Sequence, residues 1–286
     1  MFNTTIATQI YAKICFEATN SQKKIIENLS EYLSDDDFSR IFVLNGFAGT
    51  GKTTLIAALV AALKELRIKP VLLAPTGRAA KVLARYCGEQ ALTIHKRIYR
   101  QRTNADYESK FSLDFNREQG AVFIVDEASM LSDSTGDGAL FGSGSLLEDL
   151  VSYVRSGRSC RLILVGDSAQ LPPVGCDFSP ALDPATVSRY GEVVYGLMDE
   201  VVRQQMQSGI LFNATLVRCM LENRIYEIPK FEMDYPDFES VEGGDFMEKL
   251  QDAFDRYGRD EVIVITRSNK RANRYNEGIR RYILSA

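Results

Sequence analysis

The segment Gly46-Phe47-Ala48-Gly49-Thr50-Gly51-Lys52-Thr53 constrains this chain more than any other. It fits the spacing G-x-x-x-x-G-K-[ST] of a phosphate-binding loop. Glycines let the backbone curl so that successive N–H groups converge on phosphate oxygens, while the lysine reaches the β and γ phosphates. Such a loop works between a buried strand and a helix whose N-terminus faces the anion. Both flanks are present. Ile41-Phe42-Val43-Leu44 precedes the loop, and in Thr53–Leu66 the residues Leu55, Leu59, Leu63 and Leu66 mark one helical stripe. A glycine-rich turn matching by chance would lack these neighbours. The expected ligand is ATP with Mg²⁺, bound by Gly46, Ala48, Gly49, Thr50, Gly51, Lys52, Thr53 and Thr54. Lys52 is the expected catalytic cation, and the Thr53 hydroxyl an expected Mg²⁺ ligand.

The rest of the chain supplies a matching frame. Val71–Ala74, Ala121–Val125, Leu162–Val165, Val193–Tyr195 and Val262–Thr266 are short aliphatic or β-branched runs without polar alternation. That pattern predicts parallel strands covered on both faces. Helical patterns lie between several of them, and an earlier one over Gln22–Leu33 repeats Ile25, Leu29 and Leu33. The fold class is therefore α/β, a doubly wound parallel sheet. Residues 133–145, rich in Gly and Ser, predict a surface loop, and residues 227–245, mixing Pro, Gly and acids, predict irregular structure. The domain boundary is expected near Tyr195, dividing the chain into 1–195 and 196–286.

Two further strand ends carry polar groups. Ala121–Val125 runs into Asp126-Glu127, which places two carboxylates at the carboxyl edge of the sheet, where ligands of open α/β folds bind. Asp126 is expected to hold Mg²⁺, and Glu127 to orient and deprotonate the attacking water. Asp-Glu after a strand is also a common helix cap, so this assignment depends on the loop at Lys52. Leu162–Val165 likewise leads into Gly166-Asp167-Ser168-Ala169-Gln170-Leu171-Pro172-Pro173. Gln170, both donor and acceptor, suits a bridge between γ-phosphate and water; the alternative is a proline-stiffened turn.

Composition narrows the setting. Five scattered cysteines and one histidine argue against a disulfide framework or a zinc site and fit a reducing, cytoplasmic compartment. Leu55–Leu63 is the longest apolar run, too short for a bilayer, and the first residues lack a signal-peptide pattern. No membrane role is expected. A net charge of −4 disfavours coating of nucleic acid by bulk charge. Locally, residues 95–102 carry four basic side chains and no acid, and residues 266–282 six against Glu277. Each run alone reads equally as a solvated face.

In order, GFAGTGKTT, LLAPTGRAAKVL, TIHKRIY, VDEASML, LVGDSAQLPPVG and EVVRQ resemble superfamily-one DNA helicases, specifically the RecD-like group, over most of residues 20–286. The resemblance implies a RecA-like first domain and ATP hydrolysis coupled to 5′-to-3′ movement on single-stranded DNA. It also implies service in recombination or repair, alone or with complex subunits as partners. It carries roles to particular residues. Gln22 would contact the adenine edge, and Arg203 would reach across the cleft to the γ-phosphate. Pro75, Thr76, Arg78, Lys81 and His95 would contact DNA. Tyr99–Gln119 lies where relatives insert a strand-separating hairpin; its length suits a modest hairpin or a plain loop. Residues 196–286 would be the incomplete start of a second RecA-like domain. The family's later motifs, one bearing a further arginine for the γ-phosphate, do not occur in 204–286. The expectation is therefore ATP–Mg²⁺ binding with hydrolysis near background. Competing readings are another P-loop ATPase or kinase, and a non-catalytic nucleotide- or DNA-binding module.

Overall fold

The structure, a computed structural model, describes residues 2–14, 16–103, 109–133, 141–200 and 208–283. Its strands are β1 (Ile41–Gly46), β2 (Pro70–Ala74), β3 (Ala91–Thr93), β4 (Tyr99–Thr103), β5 (Ser109–Leu113), β6 (Val122–Val125), β7 (Arg161–Gly166) and β8 (Val193–Met198). Its helices are α1 (Phe2–Lys13), α2 (Asn20–Ser34), α3 (Lys52–Glu65), α4 (Gly77–Cys87), α5 (Ile94–Ile98), α6 (Leu146–Ser156), α7 (Pro184–Val187), α8 (Gly209–Glu222), α9 (Phe246–Tyr257) and α10 (Asn269–Gly278).

Six strands form one parallel sheet in the order β3-β2-β6-β7-β1-β8. Side chains alternate across it, as a strand's period of two requires. Phe42 and Leu44 enter a core with Ile10, Leu29, Leu55 and Leu59 from α1, α2 and α3. Ile41 and Val43 enter a second core with Leu147, Leu150 and Val154 from α6. Both faces are covered, which is why these strands read as continuous apolar runs. This is the doubly wound parallel sheet expected from the alternating strand and helix patterns.

The helices begin where local chemistry allows. Thr19 and Gln22 form a reciprocal capping box at α2. The Thr76 hydroxyl accepts from Ala79 N at the start of α4, and Gly88, with φ +63°, closes that helix. Among the described residues no helix is long and apolar enough to cross a membrane.

Three features depart from the sequence reading or sharpen it. Residue 195 falls inside β8, whose residues pair in register with β1 from Ile41↔Val193 to Gly46↔Met198. A cut at 195 would divide a strand that the sheet holds together. One compact unit comprises residues 1–207 and 211–229, the other 208–210 and 230–286. Val262–Thr266 is not a strand. Ile263 and Ile265 are exposed, and an apolar run becomes a strand only where a neighbouring strand takes its backbone groups. Tyr99–Gln119 contains an antiparallel ladder, with Tyr99↔Leu113 and Gln101↔Phe111 in register between β4 and β5.

Candidate nucleotide site

β6, β7 and β1 are neighbours in the sheet, so their carboxyl ends bring three separate sequence segments to one edge. From β1 the chain enters the phosphate loop, where Gly49 (φ +77°) and Gly51 (φ +84°) take left-handed conformations that favour glycine. A Cβ on Gly46 would lie 2.9 Å from the Lys52 stem and 3.0 Å from Met198 Cβ. Close approach, and not only flexibility, requires glycine there. The Phe47 carbonyl gathers the loop, accepting from the Thr50 hydroxyl at 2.8 Å and from Lys52 Nζ at 3.0 Å. Lys52 Nζ also donates to the Gly46 carbonyl. The ammonium is satisfied by the oxygens of its own loop.

Lys52 faces acids. Its Nζ lies 3.8 Å from Asp167 Oδ2. Burial holds its pKa below the ordinary lysine value, against the opposing pull of Asp167, Glu127 and Asp126. Asp126 and Glu127 are both held above the ordinary carboxylate values. Burial is the main cause for each, and the Asp126 charge adds to it at Glu127. Glu127 has φ +54°, a conformation rare outside glycine, and the short turn Ala128–Met130 follows at once. Gln170 accepts from the Ser129 hydroxyl at 3.2 Å, and its amide beside Glu127 pulls that carboxyl's pKa back down. The site thus holds a cation for phosphate, a candidate base, and an amide that favours the base's ionised form. Asp126 and Thr53 fit Mg²⁺, which takes one or two protein oxygens together with phosphate oxygens and water.

These raised carboxylates have a sign. A group with a raised folded pKa stabilises the fold below its unfolded pKa and loses that contribution as pH rises through the folded value. Without Mg²⁺, Asp126 and Glu127 should therefore cost stability as pH climbs above the ordinary carboxylate range, and a dication, favouring the ionised pair, should reverse this. Thermal melts with and without Mg²⁺–ATP from pH 4.5 to 8 should show the stabilisation shrinking toward acid, and less so in Asp126→Asn. A pH-independent increment would remove these carboxylates from the metal's surroundings.

The remaining expected residues separate into groups. Pro75 and Thr76 follow β2 at the same sheet edge, and Arg78 and Lys81 on α4 are exposed. Gln22 is 1% exposed, and its carboxamide is taken up: Nε2 donates to Thr50 O at 2.9 Å and Oε1 accepts from Thr19 N at 3.0 Å. It thereby braces the phosphate loop against the start of α2. His95 packs against Tyr99 and Phe141, ring centroids 5.7 and 5.1 Å away. Burial lowers its pKa. It is a half-buried member of an aromatic cluster. Arg203 lies outside the described residues.

Two partners of the loop escape a reading of the sequence. Asp167 stands there only as the polar end of a strand, and in the fold it faces Lys52. Arg218 on α8 places its guanidinium 4.1 Å from the centre of the Phe47 ring, a cation–π contact. Its one signal in sequence is a basic residue in a mostly apolar helix.

Residues 18–211 match the family model described as an AAA domain. The chain is also similar to curated proteins. The chain is 30% identical over 154 residues to the ATP-dependent RecD2 DNA helicase of Deinococcus radiodurans, covering 54% of this chain and 19% of that one. It is 33% identical over 201 residues to the RecBCD enzyme subunit RecD of Mycobacterium tuberculosis, covering 57% and 32%. It thus spans less than a third of either relative. Among solved structures, a Bacteroides sp. Pif1 in complex with ADP-AlF4 aligns with a TM-score of 0.45 and 18% identity, covering 77% of this chain and 49% of that one.

Proposed function

The chain belongs to the AAA-domain family, and on that premise we propose that it is the ATP-binding part of a RecD-like DNA helicase or translocase. In this reading it binds ATP with Mg²⁺ and couples hydrolysis to 5′-to-3′ movement on single-stranded DNA, in recombination or repair and in the cytoplasm. One observation supports it above the others: Lys52, Asp126, Glu127 and Gln170 come from three adjacent strand ends, with the amide beside the candidate base and favouring its ionised form. A phosphate loop shared with an unrelated kinase would not bring that amide.

Each residue then has a task. On binding, Lys52 exchanges the Gly46 and Phe47 carbonyls for β- and γ-phosphate oxygens. Thr53 and Asp126 would hold Mg²⁺, which supplies charge neutralisation at the phosphates. Glu127 accepts a proton from the attacking water, and Gln170 keeps that carboxylate in place. Arg203 would add positive charge at the γ-phosphate. Residues 230–286 would belong to the part that joins a second motor domain. A non-catalytic nucleotide- or DNA-binding module is the competing reading.

DNA contact would come from local charge, since the chain as a whole is negative. Arg78 and Lys81, the basic run of residues 95–102, and Arg267 to Arg281 are the candidate sets. Binding to a single-stranded oligonucleotide should weaken with salt, with a log–log slope of about −0.7 per phosphate contacted, and should be nearly independent of base order. Filter binding across a salt series on mixed-sequence strands measures both. Salt-independent binding, or preference for one duplex sequence, would exclude the motor reading.

A further inference from the structure

A second cavity opens beside the phosphate loop, on the face of the sheet that carries α6 and α7. It measures about 310 Å³, at the lower end of the range for small-molecule sites, about 300–1,000 Å³. Asn45, the residue before Gly46, forms part of its wall with Ser168, Ser179 and Tyr195, and Phe178 and Asp183 stand beside them. The polar atoms here are arranged unequally. Asn45 is fully employed: its Nδ2 donates to Ser168 Oγ at 2.9 Å and to Tyr195 Oη at 3.0 Å, while its Oδ1 accepts from Ser168 N at 3.0 Å. The Ser168 and Tyr195 oxygens are therefore acceptors toward Asn45, which leaves each hydroxyl proton to be given elsewhere. Ser179 is 5% exposed, and its Oγ has no hydrogen-bond partner among the described residues. A buried hydroxyl without a partner costs on the order of 1–3 kcal/mol and points to something that completes it.

We infer that this cavity receives one nucleobase of the single strand, held by the Ser168, Ser179 and Tyr195 hydroxyls and flanked by the Phe178 ring. The inference rests on the DNA reading proposed above and names a contact within it. The chemistry favours a base over a phosphate. Among the described residues no lysine or arginine lines the cavity and Asp183 does, which disfavours an anion. A flat heterocycle with carbonyls and amino groups along its edge suits three hydroxyls, each able to rotate between donating and accepting. The same rotation makes the site tolerant of base identity, and an aromatic face stacks on any base. Phe178 is 58% and Tyr195 39% exposed, open enough for a base to reach them. The position also matters. Ser168 follows Asp167, whose carboxylate lies 3.8 Å from Lys52, so an occupant of this cavity would be separated from the phosphate loop by one residue on either side.

The test compares an eight-residue thymidine oligonucleotide with an abasic strand of the same length, by fluorescence anisotropy on the whole chain at low salt. The thymidine strand should bind roughly tenfold more tightly, within the range of about 1–3 kcal/mol for a stacked base. Ser179→Val and the milder Tyr195→Phe should each erase most of that difference and leave abasic binding unchanged. Equal affinity of the two strands for the parent would overturn the inference while leaving backbone binding intact. A tenfold difference that survives both substitutions would place the base elsewhere and overturn it as well. If neither strand binds, the DNA reading itself fails and takes the inference with it.

Discussion

Lys52→Ala is expected to weaken ATP–Mg²⁺ binding by at least about 10- to 100-fold. Hydrogen bonds from a charged group contribute about 1.5–3 kcal/mol each, and every 1.4 kcal/mol is about a factor of ten. Lys52 is well placed for this because of what surrounds it. Its side chain is 16% exposed and lies 3.8 Å from Asp167, and its own loop carbonyls satisfy it in the absence of ligand. Those carbonyls are left to water or to Thr50 when phosphate takes the ammonium, so the exchange costs little. The substitution leaves Asp126, Glu127 and Asp167 without their shared cation, which should add electrostatic repulsion of the nucleotide to the lost bonds. Titration with a fluorescent ATP analogue, with circular dichroism to verify the fold, measures the effect. Lys52→Met keeps the apolar stem that passes within reach of Gly46 and should match the alanine variant in affinity. Unchanged affinity in both would take the nucleotide away from this loop.

Parts of this site are legible in the sequence because their physics is local. The loop at Gly46–Thr53 announces itself through glycines that must curl and a lysine at fixed spacing, and the structure puts Gly49 and Gly51 at positive φ. Asp126, Glu127 and Gln170 each end an apolar strand, and strand order alone decides whether such ends meet. Pairing of β6 with β7 and of β7 with β1 is a long-range fact that single strands do not encode. Side-chain direction is less legible. Gln22 opens an amphipathic helix; the Thr19-x-x-Gln22 spacing turns its carboxamide back to the helix start, but its bond to Thr50 has no local signature. His95 is followed by basic residues in the chain, yet its ring meets Phe141, a residue within the Gly- and Ser-rich segment. Arg218 and Phe47 are far apart in sequence, so their contact has no local signature. Val262–Thr266 shows the converse failure: a strand-like pattern describes what a segment can do, and a partner decides whether it does.

Glu127→Gln is expected to lower ATP hydrolysis by about 10²–10⁴-fold, the usual worth of a positioned general base. Single-turnover cleavage with protein in excess isolates the chemical step. Binding should move the other way. Glu127 is a buried carboxylate whose charge is disfavoured by burial and by Asp126, and it shares Lys52 with the incoming phosphates. Removing that charge relieves the burial and eases the approach of a polyanion, so ATP affinity should hold or tighten and thermal stability should not fall. The amide preserves side-chain length and can still bond Gln170, and the unusual φ of +54° is borne by glutamine as it is by glutamate. A purely structural role would lower stability, affinity and turnover together. The combination of a large loss in rate with unchanged or tighter binding is what a base in this position requires, and turnover within about threefold of the parent, far below the factor of at least about 10² for a base, would assign the proton to another group.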